Sequence, residues 1–116
     1  MTDHVISVRL PAAVSSALRA SAGNAHLSVP AALDWLLRYS FGNFELLRTL
    51  ADSCERSNSK LDARIPLQTF EQLKLTSQKL GISLSVYVRR LLYHFYITKR
   101  VHYLKSDGHY TLAERT

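Results

Sequence analysis

The chain has 116 residues, 47% hydrophobic and 21% charged, with a net charge of +6. This composition fills a modest core and excludes an intrinsically disordered chain; Arg89-Arg90 and His94 interrupt the best apolar run well short of the roughly 18 residues a membrane span needs. One cysteine, Cys54, excludes an internal disulfide framework and fits a reducing compartment, so a cytoplasmic location is expected.

The start, Met1-Thr2-Asp3-His4, has no positive patch followed by an apolar stretch, so no targeting segment is expected. Residues 5–10 alternate, with Ile6, Val8 and Leu10 on one face and Val5, Ser7 and Arg9 on the other, which predicts a half-buried strand. Pro11 fits the first position of a helix over 12–25, with Val14, Leu18 and Ala22 as its inner stripe. That helix is weak, carrying Ser15, Ser16, Ser21 and Gly23, so tertiary packing must hold it. After a turn at Asn24-Ala25-His26-Leu27, Ser28 is a good N-cap for a helix over 29–41, buried along Val29, Leu33, Leu36 and Leu37.

Residues 43–58 read as a connector, with an amphipathic helix over 44–55 about 18 Å long and a short loop at Ser57-Asn58-Ser59. The pattern then starts again. Lys60-Leu61-Asp62-Ala63-Arg64-Ile65-Pro66 superposes without a gap on Val5-Ile6-Ser7-Val8-Arg9-Leu10-Pro11, 55 residues earlier. The register continues through Leu18 and Leu73, Leu27 and Ile82, Ser28 and Ser83, and Leu36-Leu37 and Leu91-Leu92. Leu61, Ala63 and Ile65 face in, and Lys60, Asp62 and Arg64 face out. Pro66 opens a helix with Phe70, Leu73, Ser77 and Leu80 on its apolar face, Gly81 suits its end, and Ser83 caps a last helix over 84–100 with Leu84, Val88, Leu91, Leu92 and Phe95 in its core stripe. Beyond Val101 periodicity fades, and Ser106-Asp107-Gly108 is a turn signal.

Strand, Arg-apolar-Pro exit, helix, serine cap and helix, twice over, resembles the ribbon-helix-helix (MetJ/Arc/CopG) family of DNA-binding proteins, and two copies in one chain resemble its TraY-type conjugation accessory proteins. The expected architecture is a single mainly α domain with one short antiparallel two-stranded ribbon. Its copies, residues 4–42 and 59–100, would form an intramolecular pseudo-dimer, since a unit this short buries no core alone. The resemblance implies a monomeric binding unit whose ribbon enters the DNA major groove, where base edges carry an unambiguous donor and acceptor code. By position, Val5, Ser7, Arg9, Lys60, Asp62 and Arg64 would then read bases. The arginines and Lys60 would donate to guanine, Asp62 would accept from cytosine, Ser7 would pair with either edge and Val5 would touch a thymine methyl. The same face is otherwise the solvated side of a hairpin.

The resemblance also implies a phosphate grip at the start of each second helix, at Ser28 and Val29 in copy one and at Ser83, Leu84 and Ser85 in copy two, with Lys79 beside the latter. Pro30 removes one amide from copy one's anchor. Charge is split the same way. Residues 59–100 carry eight Lys or Arg against two Asp or Glu, residues 1–42 carry three against two, 43–58 carry two against three, and 101–116 balance. Arg89-Arg90 reads equally as a solvated helix face or a contact, and Trp35 as packing.

The five histidines show no metal-ligand spacing, and no paired carboxylates, nucleophile–base pattern or Gly-rich phosphate loop occurs, so neither an enzyme nor a cofactor is expected. The expected role is that of a plasmid or mobile-element accessory factor of the relaxosome kind, or of a transcriptional repressor. A protein partner such as a relaxase would dock on the connecting helix or the tail, residues 101–116. The rival is a protein-interaction module, antitoxin-like or secretion-linked, that keeps the fold without base readout.

Overall fold

The computed structural model describes residues 3–42, 58–98, 101–106 and 110–114. The chain runs β1 (Asp3–Leu10), α1 (Ala12–Asn24), α2 (Val29–Phe41), β2 (Ser59–Pro66), α3 (Leu67–Leu80) and α4 (Leu84–Tyr93). A π-helical turn, His94–Thr98, and two short strands, β3 (Val101–Ser106) and β4 (Tyr110–Glu114), follow. The described part is mainly helical, with four α-helices around an antiparallel β1–β2 ribbon. The expected connecting helix over 44–55, and Cys54 with it, lie outside the described residues.

The ribbon forms because both strands alternate. Ile6, Val8, Leu10, Leu61, Ala63 and Ile65 are all buried on its inner face. In its register each step forward along β1 is one step back along β2, from Asp3 opposite Pro66 to Leu10 opposite Ser59, with Ser7 opposite Asp62. Ser7 and Asp62 are also equivalent positions of the 55-residue repeat. The pairing is therefore centred on the repeat itself, and Arg9·Lys60 is the repeat image of Arg64·Val5.

Both strands leave the ribbon in the same way. Pro11 and Pro66 have φ,ψ of −57°, 143° and −56°, 145°, and stand just before the first helical residue rather than at it. The Pro11 carbonyl accepts from Val14 and Ser15 at 3.0 and 3.1 Å. The packing then crosses between copies: β1 lies against α4 and α3, and β2 chiefly against α2, with lesser contact to α3 of its own copy and to α1. Leu18, Leu33, Leu36, Leu37, Leu73, Leu91 and Leu92 are fully buried beneath the ribbon. Each such side chain contributes about 1.5–3 kcal/mol relative to exposure.

Two buried hydroxyl pairs tie the copies together. Ser40 Oγ is 2.7 Å from Tyr87 Oη, and Ser21 Oγ is 2.6 Å from Tyr96 Oη. Between α2 and α3, Thr69 Oγ1 donates to Asp34 Oδ1 at 2.6 Å, while Asp34 Oδ2 pairs with Arg38 at 3.0 Å. Trp35 is half-buried against the core and stacks on Tyr39, which fits packing.

Three expectations need correction. The last helix does not continue to residue 100: α4 ends at Tyr93 and the chain widens into the π-helical turn, whose Phe95 and Tyr96 are buried. Beyond Val101, where the sequence periodicity fades and only one ribbon is expected, β3 and β4 pair antiparallel, with an irregularity between Val101 and Tyr103. Among the described residues the β1–β2 ribbon is thus one of two small sheets, and β3 lies against α1. The expected inner stripes also shift slightly, with Val29, Phe70, Leu80 and Leu84 only partly buried and Tyr87 fully buried.

Candidate nucleic-acid interface

Strand alternation puts six residues on the outward face of the ribbon in three cross-strand rows: Val5·Arg64, Ser7·Asp62 and Arg9·Lys60. All six are exposed, as expected from the sequence. Directly opposite side chains in such a pair have Cβ atoms about 4.5–5.5 Å apart. Arg9 and Lys60 therefore place two cations side by side, an arrangement that opposes strand pairing unless an anion sits over it.

The middle row has internal chemistry that the sequence does not announce. Ser7 Oγ donates to Asp62 Oδ1, and Lys60 Nζ lies 3.9 Å from the same oxygen. The side chains of Lys60 and Asp62 are 58% and 55% exposed, so water screens this pair and it contributes at most about 1 kcal/mol. Asp62 keeps Oδ2 for a donor from outside. Knowing the strand register is enough to find this contact, since it brings equivalent repeat positions face to face.

The strand also starts earlier than the alternation from residue 5 suggests. Asp3 is exposed on the outward face, opposite Pro66, and adds a carboxylate to the Val5·Arg64 end. His4 turns the other way and stacks on Phe70 of α3, with ring centroids 3.7 Å apart. Val5 is a large apolar residue left 51% exposed.

The two helix starts are built alike. Ser28 Oγ accepts from Ala31 N–H and Ser83 Oγ accepts from Val86 N–H, each at 3.2 Å. A helix's first amides have no intrahelical acceptor, so those the serine does not take point outward. In α4 they are Leu84 and Ser85. In α2 only Val29 remains, because Pro30 has no N–H. Lys79 is exposed in the last turn of α3. Arg89 and Arg90 are half-buried rather than fully solvated.

Among the described residues no three His, Cys, Asp or Glu side chains gather where they would hold a metal ion, and no helix is long and apolar enough to cross a membrane. Comparison of the chain with models of protein families, with curated proteins and with solved structures finds no match.

Proposed function

We propose that this chain binds double-stranded DNA sequence-specifically, with the β1–β2 ribbon in the major groove and the two ribbon-helix-helix copies acting as an intramolecular pseudo-dimer. The observation that carries this reading is the ribbon's outward face, where Arg9, Lys60 and Arg64 are exposed and two of them stand directly opposite each other. The exposed Asp62 carboxylate beside Lys60 offsets only part of that opposition, and a guanine-rich groove edge between phosphates offsets the rest. The groove is wide enough for a two-stranded ribbon. The outward amides of α4, with Lys79 nearby, supply a phosphate grip that fixes orientation, and the start of α2 supplies a weaker one. The chain needs no catalytic residue, metal or cofactor for this. It acts in the cytoplasm as a plasmid or mobile-element accessory factor of the relaxosome kind, or as a transcriptional repressor.

A second reading, a protein-interaction module, is favoured by the exposed Val5 and by Asp62 being engaged by Ser7 and Lys60. Anisotropy titrations of random and selected duplex DNA over a range of salt concentrations separate the two. DNA readout gives a selected duplex bound well above random DNA, and log K falling with log salt by about 0.9 per phosphate neutralised. Equal, weak binding to every duplex favours the interaction module.

A further inference from the structure

The two ends of the ribbon differ in charge although the repeat makes them equivalent. At one end stand Arg9 and Lys60, with exposed Asn58 next along the chain. At the other stand Arg64, Val5 and Asp3. The repeat relates Arg9 to Arg64, Lys60 to Val5, Asn58 to Asp3 and Ser7 to Asp62. Turning the ribbon by half a turn about its centre therefore leaves the arginines matched and mismatches everything else. One end carries two cations and no acid; the other carries one cation, one acid and an apolar side chain.

Resting on the DNA-binding reading above, we propose that the ribbon recognises a site without dyad symmetry and lies on it in one orientation, with Lys60, Val5 and Asp62 as the residues that set the direction. The chemistry of each row dictates the site. Arg9 and Arg64 both fork onto guanine O6 and N7, so a guanine is required on each side. Lys60 has only donors and adds a demand for acceptors, met by a further guanine, on its side alone. Val5 has neither donor nor acceptor and rewards a thymine methyl at the matching place on the other side. Asp3 adds repulsion toward acceptor-rich edges and phosphate at that end. In the middle, Asp62 accepts only, and its Oδ1 is already engaged by Ser7 and Lys60. Its Oδ2 requires an amino group, which cytosine and adenine present in the major groove and guanine and thymine do not. Ser7, the equivalent residue across the centre, makes no such demand, so the central row is directional as well.

Selection from a random duplex library with the full chain, followed by anisotropy at one fixed salt concentration, tests this. The enriched site is expected to lack dyad symmetry. Palindromes built from either half are expected to bind about tenfold more weakly, the worth of roughly one lost base contact. Val5→Lys gives both ends a cationic pair, and should shift preference by about tenfold toward the palindrome built from the Lys60 half. Lys60→Val should shift it toward the other palindrome. Both positions are exposed, and circular dichroism confirms folding of each variant. A palindromic consensus, or unchanged preference in both folded variants, overturns the directional claim and leaves sequence-specific binding standing. Failure to enrich any sequence overturns the DNA-reading ribbon and the directional claim together.

Discussion

The turns between the helices of the two copies adopt one backbone conformation with different residues. In copy two, Gly81 has φ 72° and its amide reaches Gln78, while Ile82 reaches Ser77. In copy one, His26 has φ 57° and its amide reaches Gly23, while Leu27 reaches Ala22. The hydrogen bonds match residue for residue along the repeat. Glycine tolerates this left-handed geometry freely, whereas a side chain costs about 1–2 kcal/mol there. Copy one therefore holds by packing a turn that copy two holds by local preference. The helix starts differ in another way, with Pro30 in α2 where α4 has Ser85, so that α2 offers one outward amide fewer. Copy two is the locally better formed and the more basic half, and the crossed packing makes each half depend on the other.

The largest test of that dependence lies in the core. Leu10 and Ile65 are repeat equivalents, and both are fully buried. Leu10→Ala and Ile65→Ala should each cost about 2–5 kcal/mol in denaturant unfolding. Because the packing crosses between copies, each should produce a single cooperative transition; separate transitions for the two halves would break the comparison.

A second test uses the hydroxyl pairs, in which copy two supplies both tyrosines and copy one both serines. The repeat equivalents, Ala32 with Phe95 and Phe41 with Thr76, cannot form such pairs. Burial pushes the Tyr87 and Tyr96 phenols up to about 12, with the hydrogen bonds to Ser40 and Ser21 offsetting part of that rise. Their folded values exceed the unfolded 10.0, so the folded state favours the neutral phenols. This stability is fully present below pH 10 and is lost as pH rises from about 10 to 12, at up to about 1.4 kcal/mol per pH unit for each group. Alkaline unfolding followed by circular dichroism should show that slope, and Tyr96→Phe should reduce it.

Much of this organisation is legible in the sequence. The inward and outward faces of both strands, the extent of α2, the serine caps and the Gly81 turn all follow from local alternation and capping chemistry. What escaped depends on contacts distant in the chain. Tyr87 lies outside the expected core stripe of the last helix; it is fully buried, with its phenol on the Ser40 hydroxyl from the other copy. The residues from His94 to Arg100 read as a continuing helix, yet the turn signal Ser106-Asp107-Gly108 in the sequence lies between segments rich in Val, Tyr, Thr and Leu, which together are a hairpin signal. The positive φ of His26 is visible only by aligning it with Gly81. In the candidate site, all six outward positions were readable, but the Ser7–Asp62 contact needed the strand register, and Asp3 needed the earlier start of β1.

The turn difference should be worth about 1–2 kcal/mol. His26→Gly should stabilise the protein by about 1 kcal/mol, while Gly81→Ala should destabilise it by a similar amount. A loss of stability in His26→Gly would mean that the histidine side chain itself supports the turn.

Smaller still is the effect of the anchors. Lys79→Ala should weaken binding to all duplexes similarly and lower the magnitude of the salt slope by up to about one unit. Ser83→Ala should matter more for binding than Ser28→Ala, because Pro30 already impairs the first anchor. Equal losses in folded variants would remove the asymmetry between the two grips.

The most direct test of the DNA-reading ribbon compares the wild type with Arg9→Ala and Arg64→Ala, measuring affinity for a selected duplex and for single-base variants of it. Both arginines are exposed, so folding stability should stay within about 0.5 kcal/mol. Each variant should lose about 1–3 kcal/mol of discrimination at one base pair, on opposite sides of the site. Unchanged base preference in both folded variants would contradict the account.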